Sequence, residues 1–335
     1  KDQGWNAKAE SYYLQAIQKG HIVALFNLAI LYNKQGKNTE AESYYLQAIE
    51  KGHVGALYNL ANLYVDQGKI VEAESYYLQA IGKGDNFPLN NLANLYKDQG
   101  KNAEAESCYL QAIEKGEVNA VYNLANLYKD QGKNAEAESY YLQAIGKGDV
   151  DSLNNLAVLY ASQGKIIEAE KYYHQAIEND HILALMNLAF LFYSTKQQPQ
   201  KALDYIHQYY AQSDNESIYK LVVLIEIWNG VFDGLPEKIA RILDTSAGED
   251  LEWFLTELLC LEQKQLVLAL FESEIHGKML KSRYELIYYA ALILSNKTDD
   301  SLMLRIPPEL LPTVEFIVEK VEMEIGSRNG KSSLL

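Results

Sequence analysis

Residues 54–85 read VGALYNLANLYVDQGKIVEAESYYLQAIGKGD. In the first half, Ala56, Leu57, Leu60, Ala61, Leu63 and Tyr64 make an apolar stripe at helical spacing. The stripe stops at Gln67-Gly68-Lys69, where glycine can take the left-handed conformation that ends a helix. In the second half, Ala73, Tyr76, Tyr77, Ala80 and Ile81 stand at i, i+3, i+4, i+7 and i+8, an amphipathic pattern closed by Gly84. The stretch therefore predicts two short helices joined by a tight turn. Alanines at 61, 73 and 80 allow close helix approach, while Tyr64 and Tyr77 fill the space between pairs.

The same unit recurs on both sides. Ala-Glu-Ser-Tyr-Tyr begins at Ala9, Ala41, Ala73 and Ala137, with close copies at Ala105 and Ala169. Asn-Leu-Ala recurs at Asn27, Asn59, Asn91, Asn123, Asn155 and Asn187, always in steps of 32 residues. Such self-similarity decides the architecture, because a hairpin of two short helices cannot bury both its faces alone and must stack on its neighbours. The expected fold is all-α: a right-handed solenoid of helix-turn-helix repeats over 1–211, followed by an all-helical domain over 212–335. Lys1-Asp2-Gln3-Gly4 copies Lys97-Asp98-Gln99-Gly100, in mid-repeat, which suggests that the natural chain continues N-terminally.

The residues Leu60, Ala61 and Tyr64, the Gln-Gly-Lys turn, and Ala73, Tyr77 and Ala80 resemble the tetratricopeptide pattern. The unit is two residues shorter than that family's usual repeat. Its joint, as in Lys51-Gly52-His53-Val54-Gly55-Ala56, looks more like the Sel-one-like relatives.

Counting Val54 as position 1, positions 2, 6, 9 and 13 of the first helix form one line on the face opposite the apolar stripe. The resemblance implies that this line faces a concave groove. Position 6 is asparagine in all six repeats, giving one rung per ~10 Å of stacked helices. An extended peptide advances ~3.3 Å per residue, so a rung would meet about every third peptide unit. A carboxamide carries both a donor and an acceptor, which suits it either to gripping a backbone or to solvating a groove. A similar ladder holds peptides in the O-GlcNAc transferases and kinesin light chains, and the resemblance implies the same for Asn27, Asn59, Asn91, Asn123, Asn155 and Asn187.

Specificity would come from positions that vary. Position 9 carries Asn62, Asn94 and Asn126 between Ile30 and Val158, and position 5 carries Tyr58 and Tyr122. Phe87 occupies position 2, and Lys97 and Lys129 occupy position 12, placing the expected binding centre in residues 54–149. No Lys or Arg stands at positions 2 or 6, so the clamp that chaperone-binding relatives use for an acidic chain end is not reproduced.

Composition narrows the partners. The chain carries a net charge of −15 over 335 residues, with about −7 before residue 196 and −8 after it, so no basic half is hidden. Nucleic acid and anionic membrane are poor matches for such a surface. Cys108 and Cys260 lie far apart, which suits a reducing, cytoplasmic compartment. No apolar run approaches the ~20 residues of a membrane span. No phosphate loop, HExxH or GxSxG occurs, the histidines do not cluster, and no cofactor, metal or enzyme activity is expected. His21, His53 and His181 recur at one turn, where surface capping is expected, and Glu72, Glu74 and their copies are expected on a solvated outer face.

Beyond Tyr193 the signature decays. A seventh second helix is expected over 201–211, with Pro199 at its start, then helices near 216–229, 235–245, 249–262, 264–274, 279–295 and 308–325. Asn215-Glu216-Ser217 and Asn296-Lys297-Thr298 fit the glycosylation pattern by chance. The expected function is a non-catalytic interaction module for a protein or extended peptide. The alternative is the sensing or scaffold region of a larger signalling protein, such as a repeat-bearing nucleotide-switch ATPase, with the C-terminal helices contributing; an enzyme hidden in 212–335 has no motif behind it.

Overall fold

The computed structural model describes residues 2–195, 197–213, 216–245, 249–272, 280, 284–295 and 311–332. They are helical throughout, with no strand among the described residues. Asn215 and Asn296–Thr298 lie outside the described residues, as do the expected helix breaks at Gly248, Gly277 and Pro307-Pro308. The chain divides into two compact units, Lys1–Lys165 and Ile166–Leu335.

The first unit holds α1 (Asp2–Gln18), then α2 (Ile22–Lys34) with α3 (Asn38–Glu50), α4 (Gly55–Asp66) with α5 (Ile70–Gly82), α6 (Pro88–Asp98) with α7 (Asn102–Glu114), α8 (Asn119–Asp130) with α9 (Asn134–Gly146), and α10 (Asp151–Ser162). Within each pair the two helices pack closely, and each second helix also packs on the next first helix. Successive first helices touch as well, α2 on α4 and α6 on α8, so their line forms one shared face. The stop at Gly68 is a Schellman turn. Gly68 has φ of +71°, and the Lys69 amide donates to the Tyr64 carbonyl at 2.8 Å, closing the helix end.

Burial follows the 32-residue register. Ala41, Ala73, Ala105 and Ala137 are fully buried, and Tyr45, Tyr77, Tyr109 and Tyr141 are among the largest fully buried side chains. Each such ring contributes about 1.5–3 kcal/mol if its burial resembles that of other large side chains. An alanine in its neighbourhood is what permits the close approach.

A second device ties consecutive repeats. Tyr64 Oη donates to Glu42 Oε1 at 2.9 Å, and Lys69 lies 3.7 Å from Glu42 Oε2 while its ammonium sits 4.9 Å from the centre of the Tyr64 ring. The arrangement repeats at Tyr96, Glu74 and Lys101, at Tyr128, Glu106 and Lys133, and at Tyr160, Glu138 and Lys165. The sequence expectation of a solvated face thus holds for exposed Glu72 but not for Glu74, which is half-buried against the next repeat. The first turn of the second helix puts one carboxylate outward and the next but one inward, a distinction the helical period decides. The histidine turn also differs from expectation. His21 makes no capping hydrogen bond, and the His53 ring stacks on Phe26 with centroids 4.3 Å apart.

The second unit begins with α11 (Ile166–Glu178), α12 (Leu183–Thr195) and α13 (Pro199–Ser213), α12 and α13 packing as a pair. A 3-10 turn at Glu216–Ile218 leads into α14 (Tyr219–Trp228), then α15 (Leu235–Thr245), α16 (Glu249–Cys260), α17 (Lys264–Glu272), α18 (Glu285–Leu294) and α19 (Leu311–Ser332). Leu251, Phe254, Leu258, Phe271, Ala290 and Val314 form its core. Glu226 is buried but paired, with Lys238 at 2.7 Å and His207 at 3.1 Å. Tyr193 donates to Glu257 at 2.6 Å. At residue 180, where earlier repeats have glycine, Asp180 takes the same left-handed conformation with φ of 61°.

Candidate functional site

The shared face of the first helices carries the asparagine series. Positions 56, 57, 60, 61, 63 and 64 of α4 are buried inward, which turns Tyr58, Asn59 and Asn62 to half-buried places on the opposite side. The same holds in α6 and α8, so five of the six ladder residues, Asn27 to Asn155, lie in the first unit. Asn187 lies in α12 of the second unit, half-buried.

The carboxamides bond to one another between repeats. Asn91 Nδ2 donates to Tyr58 Oη at 3.0 Å and to Asn62 Oδ1 at 3.1 Å. Two repeats on, Asn155 Nδ2 donates to Tyr122 Oη at 3.0 Å and to Asn126 Oδ1 at 3.1 Å. Between them, where position 5 is Asn90 instead of tyrosine, Asn123 Nδ2 donates to Asn90 Oδ1 at 2.9 Å. From behind, Tyr77, Tyr109 and Tyr141 donate to Asn62, Asn94 and Asn126 at 2.5 Å each. Burial pushes the Tyr77 phenol up to about 12, with the Tyr58 ring and the Asp66 charge adding to it and the Asn91 amide opposing it, so it stays a donor at neutral pH.

An amide nitrogen has two hydrogens, and Asn91 and Asn155 spend both on the preceding repeat. What Asn91 leaves uncommitted is its carbonyl oxygen. Asn59 differs because the preceding repeat presents Phe26 and Ile30 where later repeats present tyrosine and asparagine. No such bond reaches Asn27 or Asn59 among the described residues, and both remain half-buried with donor and acceptor uncommitted.

The remaining expected residues separate. Phe87 stands 75% exposed before Pro88, at the start of α6. Lys97 reaches to Asp130 of the next repeat at 2.9 Å, and Lys129 is half-buried on α8. Asp66, Asp98 and Asp130, all at position 13 and all exposed, were not singled out by the sequence reading. The signal was present, since position 13 belongs to the same line as the asparagines. A cavity of about 300 Å³ opens on this face, bounded by Asn62, Val65, Asp66, Tyr77, Asn91 and Asp98 among others. No group of three or more metal-ligating side chains, and no helix long and apolar enough to cross a membrane, occurs among the described residues.

Tetratricopeptide-repeat family models match residues 26–89 and 90–152, and a second such model matches 150–181. No curated protein matches the chain. Among solved structures, a tetratricopeptide repeat protein from Parabacteroides merdae superposes with a TM-score of 0.52 at 18% identity, covering 71% of this chain and 98% of its own. A Sel1 repeat protein from Oxalobacter formigenes reaches 0.45 at 24% identity, covering 56% and 85%. YrrB, described as a tetratricopeptide repeat protein with an unusual peptide-binding site, reaches 0.42 at 22% identity, covering 52% and 96%.

Proposed function

We propose, for a chain whose residues 26–181 are tetratricopeptide repeats and so form a protein–protein interaction module, that the face of the first helices binds an extended peptide. The observation that supports this reading is the row of half-buried, uncommitted polar groups, Asn27, Asn59 and the carbonyl of Asn91, set at one per repeat, with Asn91 in the wall of a cavity. Asn27 and Asn59 would each offer a donor and an acceptor to a peptide unit. The Asn91 carbonyl would accept from a backbone N–H. Each bond contributes about 0.5–1.5 kcal/mol net, so affinity comes from their number. Phe87 and Tyr58 would supply apolar contact beside them. The module would act by holding a partner, with no catalytic step.

The test is selection of binders from a random peptide library on the full chain, followed by affinity measurement on the Asn27→Ala/Asn59→Ala variant. Neither side chain braces the repeat stack, so the helical circular dichroism should be unchanged. The selected peptides should bind at least about tenfold more weakly, from up to four lost bonds. Undiminished affinity on a folded variant would remove the ladder from the site.

A further inference from the structure

Consecutive repeats differ at one place on this face in a way that identifies a ligand group. Between the units 86–117 and 118–149, Lys97 extends across the joint and its Nζ lies 2.9 Å from Asp130 Oδ2. One repeat earlier, in the same register, Lys97 is replaced by Val65 and Asp130 by Asp98. Valine cannot reach across, and Asp98 has no ion pair among the described residues. In the place a lysine chain would fill there is the cavity of about 300 Å³, with Val65 and Asp98 in its wall.

The charge of the rest of the wall favours a cation. The Tyr77 hydroxyl and both amide hydrogens of Asn91 are directed to Asn62 and Tyr58, which leaves the carboxylates of Asp66 and Asp98, the Asn91 carbonyl and the amide NH2 groups of Asn62 and Asn94 as the remaining polar groups of the lining. Such a wall carries two carboxylates beside carboxamide donors and acceptors. It repels an anion, and the two carboxylates favour a cation over a neutral group. Its volume is that of about ten waters, which accommodates the five side-chain heavy atoms of a lysine.

We infer that the cavity between the units 54–85 and 86–117 receives the side chain of a lysine from the bound peptide, its ammonium taking at Asp98 the place that Lys97 takes at Asp130. The inference rests on the groove reading above and specifies the residue the groove selects. The chain itself supplies the template, because the equivalent joint already holds a lysine in cis.

The probe is a blocked heptapeptide of serine and glycine with a single central lysine, titrated into the full chain at low salt, against the same peptide with norleucine in that place. The readout is the side-chain amide NMR resonances of Asn62, Asn91 and Asn94. The lysine peptide should shift them saturably and the norleucine peptide at least about threefold more weakly, as for one partly exposed ion pair. Val65→Lys should abolish the difference by filling the cavity in cis, and its fold is protected because lysine stands at the equivalent positions 97 and 129. Asp98→Asn should bring the lysine peptide down to the norleucine level. Equal binding of both peptides at these resonances would overturn the inference and leave the groove reading standing. Absence of any shift there with the lysine peptide would also overturn it, with the library selection deciding the groove separately.

Discussion

The ladder residues Asn59 and Asn91 occupy equivalent positions in consecutive repeats, and truncating each to alanine should have unequal consequences. Asn91→Ala removes two hydrogen bonds to the preceding repeat, to Tyr58 and Asn62. At about 0.5–1.5 kcal/mol each the loss could approach 3 kcal/mol. Two features lower it. Asn62 Oδ1 keeps its bond from Tyr77, and the half-buried Tyr58 hydroxyl can turn to water, so neither partner is orphaned. The expected cost is about 1–2 kcal/mol. Asn59→Ala removes no bond of this kind and should cost below about 0.5 kcal/mol, the range of an unremarkable surface change. Hydrogen exchange of the native chain reads this locally, which matters in a repeat array whose global unfolding is not two-state. Amides of α4 and α6 should exchange about 5- to 30-fold faster in Asn91→Ala and within about threefold of wild type in Asn59→Ala. A double-mutant cycle with Tyr58→Phe should return a coupling of about 0.5–1 kcal/mol for Asn91 and none for Asn59. Equal loss of protection in the two alanine variants would refute the inter-repeat network.

Two further outcomes follow from repeat irregularities and buried phenols. Cys108 stands where other repeats have Tyr44, Tyr76 and Tyr140, whose rings lie 5.5–5.6 Å from Tyr32, Tyr64 and Tyr128. Cys108→Tyr should restore that pair against Tyr96 and stabilise by about 0.5–1.5 kcal/mol, seen as a higher thermal midpoint; a lower midpoint would mean that the joint is too tight for the ring. Burial, with the Glu74 charge and hydrogen bond, raises the Tyr96 phenol to about 12, and burial raises Tyr77 likewise, against about 10 in the unfolded chain. A raised phenol favours the fold fully below pH 10, and that contribution disappears as pH rises toward 12. Tyrosinate absorbance at pH 11 should therefore increase further when urea unfolds the chain, and helical dichroism should fall between pH 10 and 12.

The fold was legible because its evidence repeats. A single amphipathic stretch such as Ala73–Ile81 would be ambiguous, whereas six copies in step fix helix, turn and stacking together. The site was legible only as a line of positions. Helical spacing puts Asn91 on the open face, but whether its amide hydrogens face a ligand or the neighbouring repeat depends on residues 29 and 33 positions away, which no local pattern contains. The reading of Glu74 differed for the same reason, since its partner Tyr96 lies 22 residues on. Residues after 195 carry no repeat, so their helices could be bounded by Gly and Pro breaks while their packing partners, such as Tyr193 with Glu257, could not be inferred.

The network also explains where discrimination can reside. In the regular repeats, position 9 asparagines accept from the tyrosines behind them, and the next ladder amide at Asn91 and Asn155 is held in turn, so the commonest residues of the face serve the stack first. A groove made only of such units would present the same amide and carbonyl groups at every rung and would bind any backbone alike. Departures from the repeat break that uniformity. Phe26 and Ile30 release Asn59, Phe87 projects an exposed ring, and Val65 in place of lysine leaves a negatively lined cavity. These departures lie on neighbouring repeats between residues 26 and 98, the stretch of the first unit where a bound segment would be distinguished by its side chains.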